Sequence, residues 1–213
     1  MSLSIRLLGA PALERDGAPA DPPRGRKSWA LLAYLALSRY PPSRRELAEL
    51  LFGEADDPLG ALRWSLSQLR RAILPEAKVG GDPVRLELGP QARLDVSLLE
   101  GSSIEPAEVG HLSSELLAGM AFRGAPALES WLLVERRRLA GAAEAALHET
   151  ALARLAASDN GSAIELSRRA ATLNPLDEGN QELLVRCLSA NGDREGALAQ
   201  ADACEELFRA ELG

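Results

Sequence analysis

One stretch of this sequence concentrates side chains that hydrogen-bond to planar, polar targets. Arg63, Trp64, Ser67, Gln68, Arg70 and Arg71 fall within nine residues of one another. An arginine fork can take O6 and N7 of guanine together, a glutamine amide can pair with N6 and N7 of adenine, and a serine hydroxyl fits either base. A tryptophan ring can pack on sugar or a thymine methyl, or equally on a protein neighbour. At 100° per residue, Leu62, Leu66, Leu69 and Ile73 lie within about 60° of one another and form a core stripe. The opposite side then carries Trp64, Ser67 and Arg71 near its centre, Gln68 on one shoulder, and Arg63 and Arg70 on the other. By itself such a helix is either a solvated charged face or a reading face for nucleic acid. The elements around it decide between the two.

Those elements follow in a definite order. Ser4 to Leu8 and Ala12 to Arg15 read as short strands, the second ending at the turn dipeptide Asp16-Gly17. A linker holding Pro19, Pro22 and Pro23 leads to the basic cluster Arg24-Gly25-Arg26-Lys27. A first helix follows over Trp29 to Leu37, with Leu31, Leu32 and Leu35 at helical spacing. Pro41-Pro42 stops it. Ser43 and Glu46, three apart, then form a capping box for a second helix buried through Leu47, Leu50 and Leu51. The loop Phe52 to Pro58, with Gly53, Glu54, Asp56 and Asp57, feeds the third helix, Leu59 to Leu74.

Beyond it, Val84 to Leu88 alternates inward and outward, Gly89-Pro90 turns, and Leu94-Asp95-Val96 alternates again, which predicts a closing hairpin. Strands, three helices and a hairpin make a winged helix-turn-helix. In that arrangement the third helix enters the major groove of double-stranded DNA and the hairpin flanks it. Arg24, Arg26, Lys27, Arg44 and Arg45 at helix starts, with Arg85 and Arg93 on the hairpin, are the candidate phosphate contacts.

Charge is unevenly spread. The 213 residues carry a net charge of −7, but residues 1–98 hold 14 Lys/Arg against 12 Asp/Glu, whereas residues 99–213 hold 10 against 19. That asymmetry fits a nucleic-acid reader joined to a protein-binding module and equally fits chance variation of the surface, so charge alone does not decide between them. No apolar run approaches the roughly 18 residues of a membrane helix, and the N-terminus lacks the zones of a signal peptide, so a cytoplasmic chain with no membrane partner is expected. Cys187 and Cys204, the only cysteines, sit in apolar helical pattern and read as buried thiols rather than a disulfide or metal pair.

Enzyme chemistry finds little footing. Gly25-Arg26-Lys27-Ser28 fails as a phosphate-binding loop because Arg26 separates the glycine from the lysine and no glycine lies five residues earlier. His111 and His148 are the only histidines, without metal-ligand spacing, and no Gly-x-Ser-x-Gly elbow is present. No metal, cofactor or catalytic site is expected.

The second half changes character at Leu98, with a break marked by Gly101-Ser102-Ser103 and Glu105-Pro106. A long helix over Ala127 to Ala157 contains Trp131, Leu132, Leu139, Leu147, Leu152 and Leu155, and its Arg136-Arg137-Arg138 reads as a solvated face. At a period of 34, Ala163 pairs with Ala197, Ile164 with Leu198, Ala170 with Cys204 and Leu173 with Leu207. Thirty-four is the length of the tetratricopeptide helix-turn-helix unit, and Leu173-Asn174-Pro175 ends a helix as that unit does, though its usual Trp and Tyr are missing. Helix pairs 144–157/161–173 and 177–191/194–209 stack to bury the apolar side each leaves open and make a protein-binding surface.

In order along residues 3–97, the segments IRLLGAPALERDG (5–17), RGRKSWALLAYLAL (24–37), SRRELAELLF (43–52) and ALRWSLSQLRRAI (61–73) resemble the DNA-binding half of the Streptomyces antibiotic regulatory protein class, itself similar to the OmpR-type output domain. LLAGMAFRGAPALESWLLVERRRL (116–139) and the repeats after it resemble the bacterial transcriptional activation domain that accompanies it. The resemblance implies DNA reading by Arg63 to Arg71 and contact with RNA polymerase through Phe52 to Pro58. The hairpin departs from the family: it offers Gly89-Pro90-Gln91-Ala92 and Glu87 in place of a basic, aromatic tip.

The expectation is thus a mainly α protein: a winged helix-turn-helix over 1–97, then an all-α, tetratricopeptide-like activation domain over 98–213. The implied function is sequence-specific regulation of transcription, as an activator, with promoter DNA, RNA polymerase and a second copy of the chain as partners. The alternative is an interaction adaptor whose winged helix binds no DNA. Gly213 directly follows a repeat helix, which reads as a fragment of a longer regulator.

Overall fold

A computed structural model describes residues 2–100 and 112–212. The predicted break at Gly101-Ser102-Ser103 and Glu105-Pro106, and His111, lie outside the described residues. Six strands precede the long helices: β1 (Leu3–Arg6), β2 (Ala12–Arg15), β3 (Ala18–Pro19), β4 (Ala77–Gly81), β5 (Val84–Leu88) and β6 (Ala92–Leu94). The helices are α1 (Arg26–Leu37), α2 (Arg44–Phe52), α3 (Pro58–Ile73), α4 (Pro126–Ala156), α5 (Asn160–Leu173), α6 (Glu178–Ala190) and α7 (Arg194–Leu212), with a 3₁₀ turn over Asp95–Glu100.

Compactness divides the chain into two units that do not run in sequence order. Among the described residues, the first comprises 2–97 together with 115–137; the second comprises 98–100, 112–114 and 138–212. A split at 97/98 follows the change in composition, whereas 115–137 return to the first unit. Leu8 bridges Leu116, and the Leu117 N–H donates to the Leu7 carbonyl at 2.8 Å. Arg136 seals this return: its guanidinium donates to the Leu116 carbonyl at 2.9 Å and pairs with Glu115 at 3.1 Å. It is therefore a structural residue of the first unit and not part of a solvated face.

In the first unit, β3-β2-β1-β6 form one sheet, with β1 antiparallel to β2 and parallel to β6. Its inward residues Leu3, Ile5 and Leu13 bury with Leu31, Leu32, Leu47, Leu51, Leu62, Leu66, Leu69 and Ile73 of the three helices. The capping box is present: Glu46 N–H donates to Ser43 Oγ at 3.2 Å, and the Ser43 N–H donates back to the Glu46 carboxylate at 2.7 Å. Asp57 caps α3 by accepting from the Gly60 N–H at 2.8 Å.

The closing hairpin lies earlier than its alternation predicts. β4 pairs with β5 from Ala77↔Leu88 to Gly81↔Val84, with Asp82-Pro83 at the tip. Gly89-Pro90 is only the connection from β5 to β6, which leaves the hairpin and joins β1. Ala77–Gly81 is a strand that the periodicity missed because two of its five residues are glycine. Asp95 fixes the departure: its buried carboxylate accepts from the N–H groups of Leu7, Leu8 and Val96 at 2.9, 2.8 and 2.8 Å.

The second unit is a stack of helices around Leu139, Ala143, Leu147, Ala151, Ala163, Leu166, Ala170, Leu183, Leu184, Cys187 and Leu188. Alanines at the contacts let helix axes approach closely. Asp159 and Asp193, 34 residues apart, each accept from the N–H three residues on, so the repeat extends to its caps. The repeat is imperfect at its end. Ala163 and Ala197 are both buried, but Leu198 is 59% exposed and Cys204 is only partly covered, since α7 has no described helix on its far side.

Candidate nucleic-acid interface

The helix-turn-helix is α2 and α3, and α3 is amphipathic as its sequence dictates. Leu62, Leu66, Leu69 and Ile73 are buried, while Arg63, Trp64 and Arg71 are exposed and Ser67 is half-buried. Two contacts set how this helix sits. At its C-terminal end, the Arg15 guanidinium on β2 donates to the carbonyls of Ala72 and Leu74 at 3.0 and 3.1 Å and holds Glu76 in an ion pair at 3.1 Å. Those carbonyls are among the orphan acceptors of a helix end, and a cation is favoured there. The hydrogen bond from Arg15 keeps the Glu76 carboxyl below its ordinary value near 4.5. Toward the N-terminal end, the Trp64 ring lies over Gly25, where φ is +85° and a Cβ would stand 3.1 Å from Trp64 Cζ3. Glycine is needed there both for the dihedral and for the ring's approach.

The other predicted residues divide by what they touch. Arg70 turns off the outward face: its Nε–H donates to the Val79 carbonyl at 2.9 Å and its guanidinium lies over Gly80, so it ties α3 to the hairpin. Gln68, on the opposite shoulder, is only 8% exposed. Arg63 pairs with Asp57 at 3.5 Å but remains exposed. Arg24 and Arg26 are exposed at the entry to α1, whose N-terminus has no side-chain cap and no acidic residue in its first turn. Such an end favours an anion.

Lys27 sits 4.9 Å above the Phe52 ring, a cation–π contact that leaves it half-buried. Arg44 is drawn to the hairpin tip, where its Nε–H donates to the Gly81 carbonyl at 3.0 Å and its backbone N–H to Asp82 at 3.1 Å. Arg45 pairs with Glu49 along α2 at 3.1 Å and is fully exposed. Arg85 is exposed on β5, next to the tip. Arg93 is exposed on β6, which belongs to the N-terminal sheet and not to the hairpin. In the loop after α2, Phe52 is buried, while Gly53, Glu54, Asp56 and Asp57 are exposed.

Arg15, Glu76 and Asp95 were not legible as site-building residues. Arg15 and Glu76 lie 61 positions apart, and no local spacing reports such a pair. Among the described residues, no three His, Cys, Asp or Glu side chains are grouped to hold a metal ion, and no helix is long and apolar enough to cross a membrane.

An exposed, arginine-bearing third helix beside a β-hairpin is the build of a winged helix-turn-helix, here followed by a helical-repeat unit. Residues 111–213 match the family described as the bacterial transcriptional activator domain. No curated protein matches. Among solved structures, Mycobacterium tuberculosis EmbR in complex with a low-affinity phosphopeptide is similar in fold, with a TM-score of 0.64 and 18% identity over 99% of this chain and 61% of that chain. The comparisons thus give a bacterial transcriptional activator domain over residues 111–213 and, for the whole chain, the fold of a structure of which it spans about three fifths.

Proposed function

We propose that this chain is a sequence-specific DNA-binding activator that sets α3 into the major groove of promoter DNA. The observation that carries the reading is the outward side of α3. Arg63, Trp64 and Arg71 are exposed together, while the helix ends are held by Arg15 and by the packing of Trp64 on Gly25. Rigid seating lets an arginine fork discriminate a base edge, because the donors are positioned before the duplex arrives. Trp64, Ser67 and Arg71 are the base-facing residues in this reading. Arg24, Arg26, Arg45 and Arg85 reach phosphates, with Arg63 on the shoulder. Arg70, Lys27 and Arg44 contribute mainly by bracing the fold. The exposed acidic loop Glu54 to Asp57 is the surface offered to RNA polymerase, and the helical repeats are the surface for a second copy of the chain.

Selection of bound sequences from a random duplex pool, followed by titration of the winner at several salt concentrations, tests the reading. Each phosphate contact contributes a log–log salt slope of about −0.9. Arg71→Ala is expected to cost about 1–3 kcal/mol on the selected site and little on random duplex. No enrichment, with capture of a protein partner through residues 99–213 instead, leaves the adaptor reading.

A further inference from the structure

Helix α6 lies in a seat built by α4 and α5. Its Asn180 amide donates to Glu144 at 2.7 Å, and the amide oxygen meets His148 Nδ1 at 2.8 Å. Leu184 and Leu188 pack with Ala171, and the Cys187 thiol lies against the Ser167 hydroxyl. Ala151 and Ala170, on the same two helices, are fully buried. Now move 34 residues along the chain. Glu144, His148, Ala151, Ala170, Ala171 and Asn174 become Glu178, Glu182 and Val185 of α6 and Cys204, Glu205 and Phe208 of α7. All six of these line one cleft of about 400 Å³.

The first seat holds a helix, and among the described residues its repeat holds none. Asn174-Pro175 ends α5 and turns the chain into α6, whereas Phe208-Arg209 stand at those positions in α7, which runs on to Leu212 and does not turn back into the cleft. Val185 and Cys204 are only half-buried, while their counterparts Ala151 and Ala170 are covered. Apolar floor left open at the end of a repeat stack favours a cover.

What differs between the two seats specifies that cover. Glu182 replaces His148 and Glu205 replaces Ala171, so with Glu178 three carboxylates rim the open cleft, and no Lys or Arg is among the described residues that line it. Glu182 and Glu205 have partners in Arg186 and Arg209 on their own helices, at 4.0 and 2.7 Å. Exposed pairs of this kind are weak enough to be exchanged for a better-placed cation. A second copy presenting the same cleft sets glutamate against glutamate.

We infer that this cleft docks a basic amphipathic helix of a protein partner, laid against α6 and α7 as α6 is laid against α4 and α5. One cation takes the place of Asn180 and faces Glu178 and Glu182. Apolar side chains four and seven residues later take the places of Leu184 and Cys187, and a second cation, eight residues after the first, takes the place of Leu188 and faces Glu205. This partner is distinct from the DNA and the second copy proposed above, and the inference rests on neither.

The full chain is titrated with a fluorescent peptide of residues 176–191 carrying Asn180→Lys, Cys187→Leu and Leu188→Lys, stapled on its outer side so that it is helical when free. Anisotropy is expected to show saturable binding that weakens as salt rises. The peptide with Asn180→Glu, Cys187→Leu and Leu188→Glu is expected not to bind. In the chain, Glu182→Lys together with Glu205→Lys, both at exposed positions, is expected to weaken binding about tenfold. Phe208→Ala weakens it through the floor. Absence of saturable binding overturns the docking site, as does binding that the acidic peptide shares or that these variants leave unchanged. A chain that self-associates, excludes the peptide while it does so and becomes monomeric with Phe208→Ala gives the cleft to a second copy and overturns the partner.

Discussion

Replacing Gly25 by alanine tests how α3 is seated. Its φ of +85° and ψ of 134° belong to a region nearly reserved for glycine, and occupying such a conformation costs an L-residue about 1–3 kcal/mol. Alanine also restricts the unfolded chain, which returns about 0.4–1 kcal/mol to the folded state. The added Cβ meets Trp64 Cζ3 at 3.1 Å and Cη2 at 3.3 Å, so the ring must yield by a few tenths of an ångström. The net expectation is a loss of about 1–2 kcal/mol. Urea titration reads it as a lower midpoint at unchanged slope. Trp64 is 50% exposed, whereas Trp29 is buried and Trp131 half-buried, so the difference in acrylamide quenching between the variant and the wild type, each compared with its Trp64→Ala counterpart, reports the ring's displacement. The same substitution in a Trp64→Ala background isolates the two contributions: the contact with the ring vanishes and the dihedral cost stays. A Gly25→Ala chain as stable as the wild type, with unaltered quenching, refutes the claim that this glycine seats the helix.

Acid stability provides a second test. The Glu76 carboxyl is held below its ordinary value near 4.5 by Arg15, so its contribution is fully present above that value and is lost as pH falls through the lower, folded one. Glu76→Gln is expected to be less stable than the wild type at pH 7 and to lose less stability between pH 5 and pH 3 in urea titrations. Arg70→Ala removes the hydrogen bond to the Val79 carbonyl and is expected to cost about 1.5 kcal/mol, with faster amide exchange over Ala77–Leu88.

How much of this was legible in the sequence depends on the range over which each feature acts. The leucine period in α3 set its buried side, since a helix repeats every 3.6 residues whatever surrounds it. The same locality made the capping box at Ser43 and Glu46 readable, because both partners lie within one turn. The hairpin was misplaced for a matching reason. Alternation marks a strand but not its partner, and β6 alternates as well against β1 as it would against β5. The arginines were legible as charge and illegible as roles. Arg70, Arg71 and Arg136 are the same residue type on helices, yet one grips the Val79 carbonyl, one stands in solvent and one pins 115–117.

By itself, then, the order of residues determined the helices of the winged unit, the 34-residue rhythm of the second half and the polar side of α3. Only the tertiary structure decided which guanidinium groups remain available, that Gln68 faces a cleft, and that Arg15 holds the end of a helix nearly sixty residues away. Periodicity is a property of a single element's backbone. The fate of a long, flexible, charged side chain is settled by whatever carbonyl or carboxylate the fold brings within about 3 Å of it, and that neighbour is nowhere near it in the chain.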